Sequence, residues 1–215
     1  MAPTAKPTGL LLAGGRSSRM GSAFAGGQGD KAFLELAGRP MLSHVRERLD
    51  PQAGRLVISA NGDPARFASF DLPVVADTIT DFAGPLAGIL AGLRWSEENA
   101  PGARHIVTAS TDAPFLPVDL VARLTEALTS SDARIALAQS AGRVHPVIGL
   151  WSIDLANDLE AALNAGCRKV ESWTNRHPTV TVDFPGFEHH GRTIDPFFNV
   201  NSPDDLAEAQ QILSR

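Results

Sequence analysis

One feature constrains this chain more than any other. Short, almost unbroken apolar runs alternate with stretches of amphipathic, helix-like spacing. The runs Gly9–Ala13, Leu56–Ala60, Pro73–Ala76, His105–Ala109, Ile135–Ala138, Val147–Trp151 and Val180–Phe184 are predicted strands. Helices are predicted over Pro40–Leu49, Pro85–Glu98, Pro117–Thr129, Ile153–Ala165 and Pro203–Leu213, with a polar helix around Lys169–Asn175. Within 117–129, Leu120, Val121, Leu124 and Leu128 share one face. Pro40 suits a first turn, where its missing N–H costs nothing, and Gly166 suits a helix end. Strands that are apolar throughout belong to a parallel sheet covered on both faces, joined by right-handed crossovers. The expected class is α/β, with three layers and a mostly parallel, doubly wound sheet. No internal repeat and no linker is visible. Residues 1–215 therefore read as a single domain, since 215 residues fit one unit at roughly 100–200 residues per domain. The Gly- and Pro-rich segments 14–30 and 185–196 read as long loops, of the kind that is functional or mobile.

Open parallel sheets bind ligands beyond the carboxyl ends of their strands. Here the chain turns glycine-rich or polar at those points. The first strand runs into Gly14-Gly15-Arg16-Ser17-Ser18-Arg19-Met20-Gly21, the second into Asn61-Gly62-Asp63, the third into Asp77-Thr78 and the fourth into Ser110-Thr111-Asp112. The first loop has the chemistry of a triphosphate cradle. Gly14 and Gly15 leave backbone N–H groups uncovered, Arg16 and Arg19 can fork onto phosphate oxygens, and Lys31 after Asp30 adds a point charge. A plain glycine-rich turn with solvated arginines is the competing reading. A dinucleotide fingerprint is absent, because the glycines are adjacent rather than spaced G-x-G-x-x-G. A P-loop is also absent: Gly21 and Gly26 have the spacing, but Gly27 stands where lysine is required.

The net charge of −5 argues against general nucleic-acid or membrane-surface binding, which needs a basic face. An anionic ligand must be held by local charge. The single cysteine, Cys167, forms no intrachain disulfide and fits a reducing compartment. Residues 1–8 offer no apolar stretch suited to a signal peptide, and the run Leu10–Ala13 is too short to cross a bilayer. The expectation is a soluble, cytoplasmic protein.

Leu12-Ala-Gly-Gly-Arg-Ser-Ser-Arg-Met-Gly21 followed by Asp30-Lys31 resembles the signature of the molybdenum cofactor guanylyltransferase (MobA) family, within the nucleotidyltransferases that carry an L-A-G-G or L-A-A-G loop. Ala60-Asn61, Asp77, Gly84-Pro85-Leu86-Ala87-Gly88, Asp112-Ala113-Pro114-Phe115, His145-Pro146 and Phe198-Asn199-Val200-Asn201-Ser202-Pro203 follow in the family's order and cover nearly the whole chain. The first loop marks only the superfamily; the ordered set ending in F-N-V-N-S-P is more specific.

The resemblance implies a Rossmann-like nucleotidyltransferase fold, with a nucleotide-binding part over about 8–115 and an acceptor-binding part over about 140–203. It implies transfer of GMP from GTP to the terminal phosphate of molybdopterin, or of molybdopterin already carrying molybdenum. The expected products are the guanine dinucleotide cofactor and pyrophosphate. It also implies residue roles. Leu12, Ala13, Gly14 and Gly15 contact the nucleotide, and Arg19 and Lys31 serve its phosphates and the transfer. Asn61 and Asp77 hold the nucleoside, Asp112 holds Mg²⁺, and His145, Asn199 and Asn201 lie on the acceptor side. Other proteins of molybdenum cofactor synthesis, or acceptors of the product, are implied partners. The segment Ser22–Gly29 lengthens the family's spacing before Lys31 and reads as a flap that orders on binding.

Each residue also has a local reading. Asp112 can be a turn or capping carboxylate, as can Ser110 and Thr111. Asn61 before Gly62 can start a turn, and Asn201 or Ser202 can cap the last helix. Asp77 can meet guanine or ribose, and His145 can be an acceptor contact or a loop residue. Gly84–Gly88 can admit the base closely or simply begin a helix. His189 and His190 read as solvated, Cys167 as inert, and Trp95, Trp151 and Trp173 as core or rim residues. A sister enzyme using CTP, or a sugar or alditol phosphate, is the nearest alternative activity; a non-catalytic carrier of nucleotide or cofactor is the alternative of another class.

Overall fold

The computed structural model describes residues 5–14, 30–79 and 84–214. The chain begins with β1 (Thr8–Leu12). A hairpin of β2 (Glu35–Leu36) and β3 (Arg39–Pro40) leads into α1 (Met41–Leu49). Next come β4 (Leu56–Ser59), β5 (Val74–Val75), α2 (Pro85–Asn99), β6 (His105–Ser110) and α3 (Leu120–Thr129). The second half has β7 (Ile135–Ser140), β8 (Arg143–Ser152), α4 (Ala156–Asn164), α5 (Val170–Thr174) and β9 (Thr179–Asp183). A hairpin of β10 (Phe187–His189) and β11 (Arg192–Ile194) precedes α6 (Pro203–Leu213).

Seven strands form one sheet in the order β5-β4-β1-β6-β8-β7-β9. Successive side chains of a strand point to opposite faces, and β1 shows the result. Leu11 packs with Leu42, Val45 and Leu49 of α1 and Leu120 and Leu124 of α3, while Leu10 packs with Ile89 and Leu93 of α2 and with Leu159 of α4. The sheet is thus wound on both sides, as expected. Helix α2 lies especially close. A Cβ on Gly92 would sit 2.5 Å from Leu10 Cδ2, and one on Gly88 2.6 Å from Ser59 Oγ. The small residues of this helix serve its packing on β1 and β4, which accounts for Gly88 without any approach to a base. Trp151 and Trp173 are buried and stacked with centroids 6.0 Å apart, so both are core residues.

Three features add to or correct the sequence reading. The sheet is mostly parallel, as expected, with one exception: β8 runs antiparallel to both β6 and β7. The cause is the two-residue turn Ala141-Gly142, with φ of 48° and 75°; so short a loop can only join antiparallel strands. The same turn geometry recurs at Ala37-Gly38, where no element was expected, and at His190-Gly191 within 185–196, where a loop was expected; both make hairpins. Their strands of two or three residues are too short to show a period. Finally, Lys169–Asn175 is not simply polar, since Val170, Trp173 and Thr174 of α5 are buried.

Candidate active site

The register of the parallel strands brings four chain ends together. Leu12 at the end of β1 pairs with Ser59 of β4 and Ser110 of β6, and Ser59 pairs with Val75 of β5. Backbone bonds carry the ladder one residue further, from Ala13 N to Ser59 O (2.9 Å) and from Ala60 N to Val75 O (2.9 Å). Gly14, Asn61, Asp77 and Asp112 therefore leave the sheet at one rim. Leu12 and Ala13 approach it through backbone, and Gly14 is exposed there.

Two side-chain clusters stand on this rim. In the first, Asn61 Nδ2 donates to Asp77 Oδ2 (2.8 Å) and the Asp77 N–H donates to Asn61 Oδ1 (2.9 Å). The pair fixes the direction of both side chains. Burial raises the Asp77 pKa above its ordinary value, and the Asn61 amide opposes that shift. A carboxylate so placed can accept from two neighbouring N–H donors, such as those along the edge of guanine.

The second cluster centres on Lys31. Asp30 caps the short helical turn Lys31–Phe33, its Oδ1 accepting from Ala32 N (3.0 Å), which sets the backbone that carries the lysine. Lys31 Nζ lies 3.3 Å from Asp112 Oδ2 and 2.5 Å from Asn201 Oδ1. Ser110 Oγ donates to the other oxygen of Asp112 at 2.5 Å. The lysine and aspartate side chains are only 13% and 17% exposed, so this pair is screened far less than a surface one. A cation, a carboxylate and an amide oxygen gathered in one recess can bind phosphate and a hard metal ion side by side.

Arg66 joins the two clusters. It donates to the Asn61 carbonyl at 2.8 Å, lies 3.3 Å from Asp30 Oδ2, and is braced over the Phe67 ring at 4.7 Å. Burial raises the pKa of Asp30, against the pull of the Ala32 N–H and of Arg66.

The last two residues of the constellation come from the segment before α6. The Val200 N–H donates to the Asp112 carbonyl (2.9 Å), bringing Asn199 and Asn201 beside Asp112. Ser202 and Asp205 form a reciprocal capping box, so Ser202 is the cap and Asn201 is free to face Lys31. Asn199 Oδ1 is buried without a hydrogen-bond partner. His145, by contrast, is 6% exposed. Its Nε2 meets Ser140 Oγ at 2.7 Å, and its ring lies 4.7 Å from that of Phe197. It touches the 195–201 segment from inside rather than opening onto the rim.

Lys31, Asn61, Asp77, Asp112 and Asn201 are thus brought together, Asn199 lies beside them, and His145 stands behind. Gly15, Arg16, Arg19 and the Ser22–Gly29 segment lie outside the described residues. His189 is half-buried rather than solvated, with its Nε2 buried and unpaired. Sequence reasoning missed Arg66, Ser140 and Asp195, and left Ser110 as either a rim residue or a cap. The Ser-x-Asp spacing of 110–112 was a signal for a serine that orients its neighbouring carboxylate; Arg66 and Asp195 offered none. A groove of about 530 Å³ beside α1, lined by Arg39, Ser43, Arg46 and Phe70, shares no residue with the rim.

With this geometry in view, the relatives are informative. The family model described as "MobA-like NTP transferase domain" matches residues 9–180. A molybdenum cofactor guanylyltransferase of Bradyrhizobium sp. is 50% identical over 210 residues, covering 97% of this chain and 93% of its own. Among solved structures, molybdopterin-guanine dinucleotide biosynthesis protein A of Archaeoglobus fulgidus superposes with a TM-score of 0.69 at 22% identity, covering 95% of this chain and 97% of that one. A Mycobacterium tuberculosis protein solved as a complex with manganese gives a TM-score of 0.65 at 18% identity, covering 96% and 99%. The two structures share the fold.

Proposed function

The chain belongs to the MobA-like NTP transferase family, and from that premise we propose that it transfers GMP from GTP to the terminal phosphate of molybdopterin. The guanine dinucleotide form of the molybdenum cofactor and pyrophosphate are the products. An oxygen of the acceptor phosphate forms a bond to the α-phosphorus of GTP. The bond from that phosphorus to the oxygen bridging to the β-phosphate breaks, and pyrophosphate leaves with its electron pair. An ionised phosphate is already a nucleophile, so no protein base is required. Catalysis then consists of alignment and neutralisation of charge.

The observation that carries this reading is the Lys31–Asp112–Asn201 cluster at the same rim as the Asn61–Asp77 pair. Asn61 and Asp77 hold the nucleoside, and the rim backbone at Leu12–Gly14 approaches it. Lys31 binds the phosphates, with Gly15 and Arg19 contributing from the first loop. Asn199 and Asn201 face the acceptor. The name of the Bradyrhizobium relative, at half identity over nearly both full chains, supports the choice of guanine and of molybdopterin.

We assign a divalent ion, Mg²⁺, to Asp112. The donors fit it: the Asp112 carboxylate and the Asn201 amide oxygen are hard oxygen donors gathered in one recess with Lys31. Among the described residues no three His, Cys, Asp or Glu side chains form a metal cluster. That suits an ion which prefers one or two carboxylates completed by substrate phosphates. When bound, the ion supplies positive charge against the triphosphate. The lone Cys167 supports a cytoplasmic setting, and no helix among the described residues is long and apolar enough to cross a membrane. Proteins that deliver molybdopterin or receive the finished cofactor are the expected partners.

A panel of GTP, CTP, UTP and ATP with Mg²⁺ and molybdopterin, read by pyrophosphate release, tests the reading. GTP should be used well above the others. Preference for CTP would overturn the base assignment; nucleotide binding with no pyrophosphate from any of the four would make the protein a carrier.

A further inference from the structure

Behind the rim, three polar side chains form a chain of hydrogen bonds that the reaction does not use directly. Ser140, at the end of β7, is 1% exposed. Its hydroxyl donates to Asp195 Oδ1 at 2.7 Å and meets His145 Nε2 at 2.7 Å. A serine has one proton to give. A carboxylate can only accept it, so His145 must be the donor in the other bond, with its proton on Nε2. Burial holds the imidazole below its ordinary pKa, with Asp195 opposing and Arg143 adding to the shift, which agrees with a neutral ring. The direction of donation therefore runs from His145 to Ser140 to Asp195. The same Asp195 oxygen also accepts from the Phe197 N–H at 2.8 Å.

This relay reaches the acceptor side through the backbone. The Phe198 N–H donates to the Asp195 carbonyl at 3.1 Å, closing a turn, and two residues later the Val200 N–H donates to Asp112. The ring of Phe197 packs against His145 (4.7 Å) and meets Phe184 edge to face (5.3 Å). Asn199 thus sits between two anchors, one set by the relay and one by Asp112. Phe197, two residues before it, and Val200, directly after it, are buried. The position of His145 is itself constructed. Strand β8 slips against β7 between Leu137 and Ala138, so that His145 pairs with Ala138 while Gly149 pairs with Leu137. Pro146 lies in the slipped stretch, where a residue without an N–H breaks no ladder, and Thr108 Oγ1 donates to the Val147 carbonyl there at 2.8 Å. Buried polar chains are costly unless every member is paired, and all three here are paired.

We propose that Ser140, His145 and Asp195 are positioning residues for the acceptor substrate: their hydrogen-bonded relay sets the 195–201 segment and hence the aim of Asn199 toward the phosphorylated acceptor. This rests on the reading of the site as a guanylyltransferase. His145 then acts through the segment and does not touch the substrate.

The test measures KM for molybdopterin and for GTP, with melting temperature, in the wild-type chain and in Ser140→Ala, Asp195→Ala and Asp195→Asn. Losing a buried bond of this kind should raise the molybdopterin KM about tenfold in both alanine variants, with the GTP KM changed by no more than about twofold. Asp195→Asn keeps an oxygen that accepts from both Ser140 and Phe197 and should stay near wild type. If Ser140→Ala does not fold, Ser140→Cys, a weaker hydrogen-bonding group of similar size, should raise the acceptor KM in the same sense. An unchanged acceptor KM, a parallel rise in both KM values, or an Asp195→Asn variant as impaired as Asp195→Ala would overturn the relay. A wild-type chain that releases no pyrophosphate from GTP and molybdopterin would instead count against the function itself.

Discussion

Asn61 and Asp77 reach the rim because parallel strands end beneath them, whereas Asn199 and Asn201 reach it from a segment that belongs to no strand. On the side proposed for the nucleotide, the register Leu12–Ser59–Val75 aligns the chain ends, and a residue needs only to follow its strand closely to reach the rim. On the side proposed for the acceptor, the equivalent work is done by bonds between parts of the chain far apart in sequence: Ser140 with Asp195, Asp112 with Val200, Lys31 with Asn201. The first arrangement inherits its accuracy from the sheet. The second must be assembled one contact at a time, and each contact is a place where aim can be lost without loss of fold.

The contrast can be broken by substitution. Asp112 belongs to both arrangements, since its carboxylate faces Lys31 and its carbonyl accepts from Val200. Asp112→Ala should lower kcat about a hundred- to a thousandfold, as removal of a charge-stabilising group commonly does, and should impair nucleotide and acceptor alike. Steady-state kinetics with each substrate varied in turn would reveal it; an effect on one substrate alone would mean that Asp112 is no junction.

Arg66 clips Asn61 to Asp30, next to Lys31, and touches the groups proposed to hold the nucleotide. Arg66→Ala should weaken GTP binding about three- to tenfold, the range for loss of a partly exposed charged hydrogen bond, and leave the acceptor KM unmoved. Calorimetric titration with GTP is the direct check, and unchanged affinity would show that the clip between Asn61 and Asp30 is ornamental.

The smallest effect is on pH dependence. Burial raises the folded-state pKa of Asp77, so its carboxylate is present above that value and is lost as pH falls through it. GTP affinity should therefore be flat near neutrality and decline in acid, with a midpoint above the ordinary 3.8. Asp30 shifts in the same sense, so Asp77→Asn is the control. If the acid decline survives intact in that variant, Asp77 is not its source.

How much of this was legible beforehand follows the same division. The doubly wound sheet was readable because apolar runs such as Leu10–Ala13 and Leu56–Ala60 have no polar face. The placement of Asn61, Asp77 and Asp112 was readable because each lies within two residues of a strand end. The antiparallel course of β8 hung on Ala141-Gly142, a turn without the asparagine or aspartate that usually advertises one. His145 was read as an acceptor contact or a loop residue, and it lies in β8 and is buried, so it is no loop residue. Its burial depends on the slip at Leu137 and on Phe197, neither of which leaves a periodic trace. The Arg66 bridge depends on tertiary distance alone.

A small core, separate from those on the two faces of the sheet, links the segment after Lys31 to α6. Leu34, Leu36 and Met41, which follow Lys31, share that core with Val200, Ala209 and Ile212. Helix α6 is thus a buttress for the turn that carries Lys31, the ammonium group proposed to hold phosphate. Trimming α6 from its carboxyl end would loosen the lysine before it disturbed the central sheet, so under that reading the damage would first be felt as a weakened hold on the triphosphate.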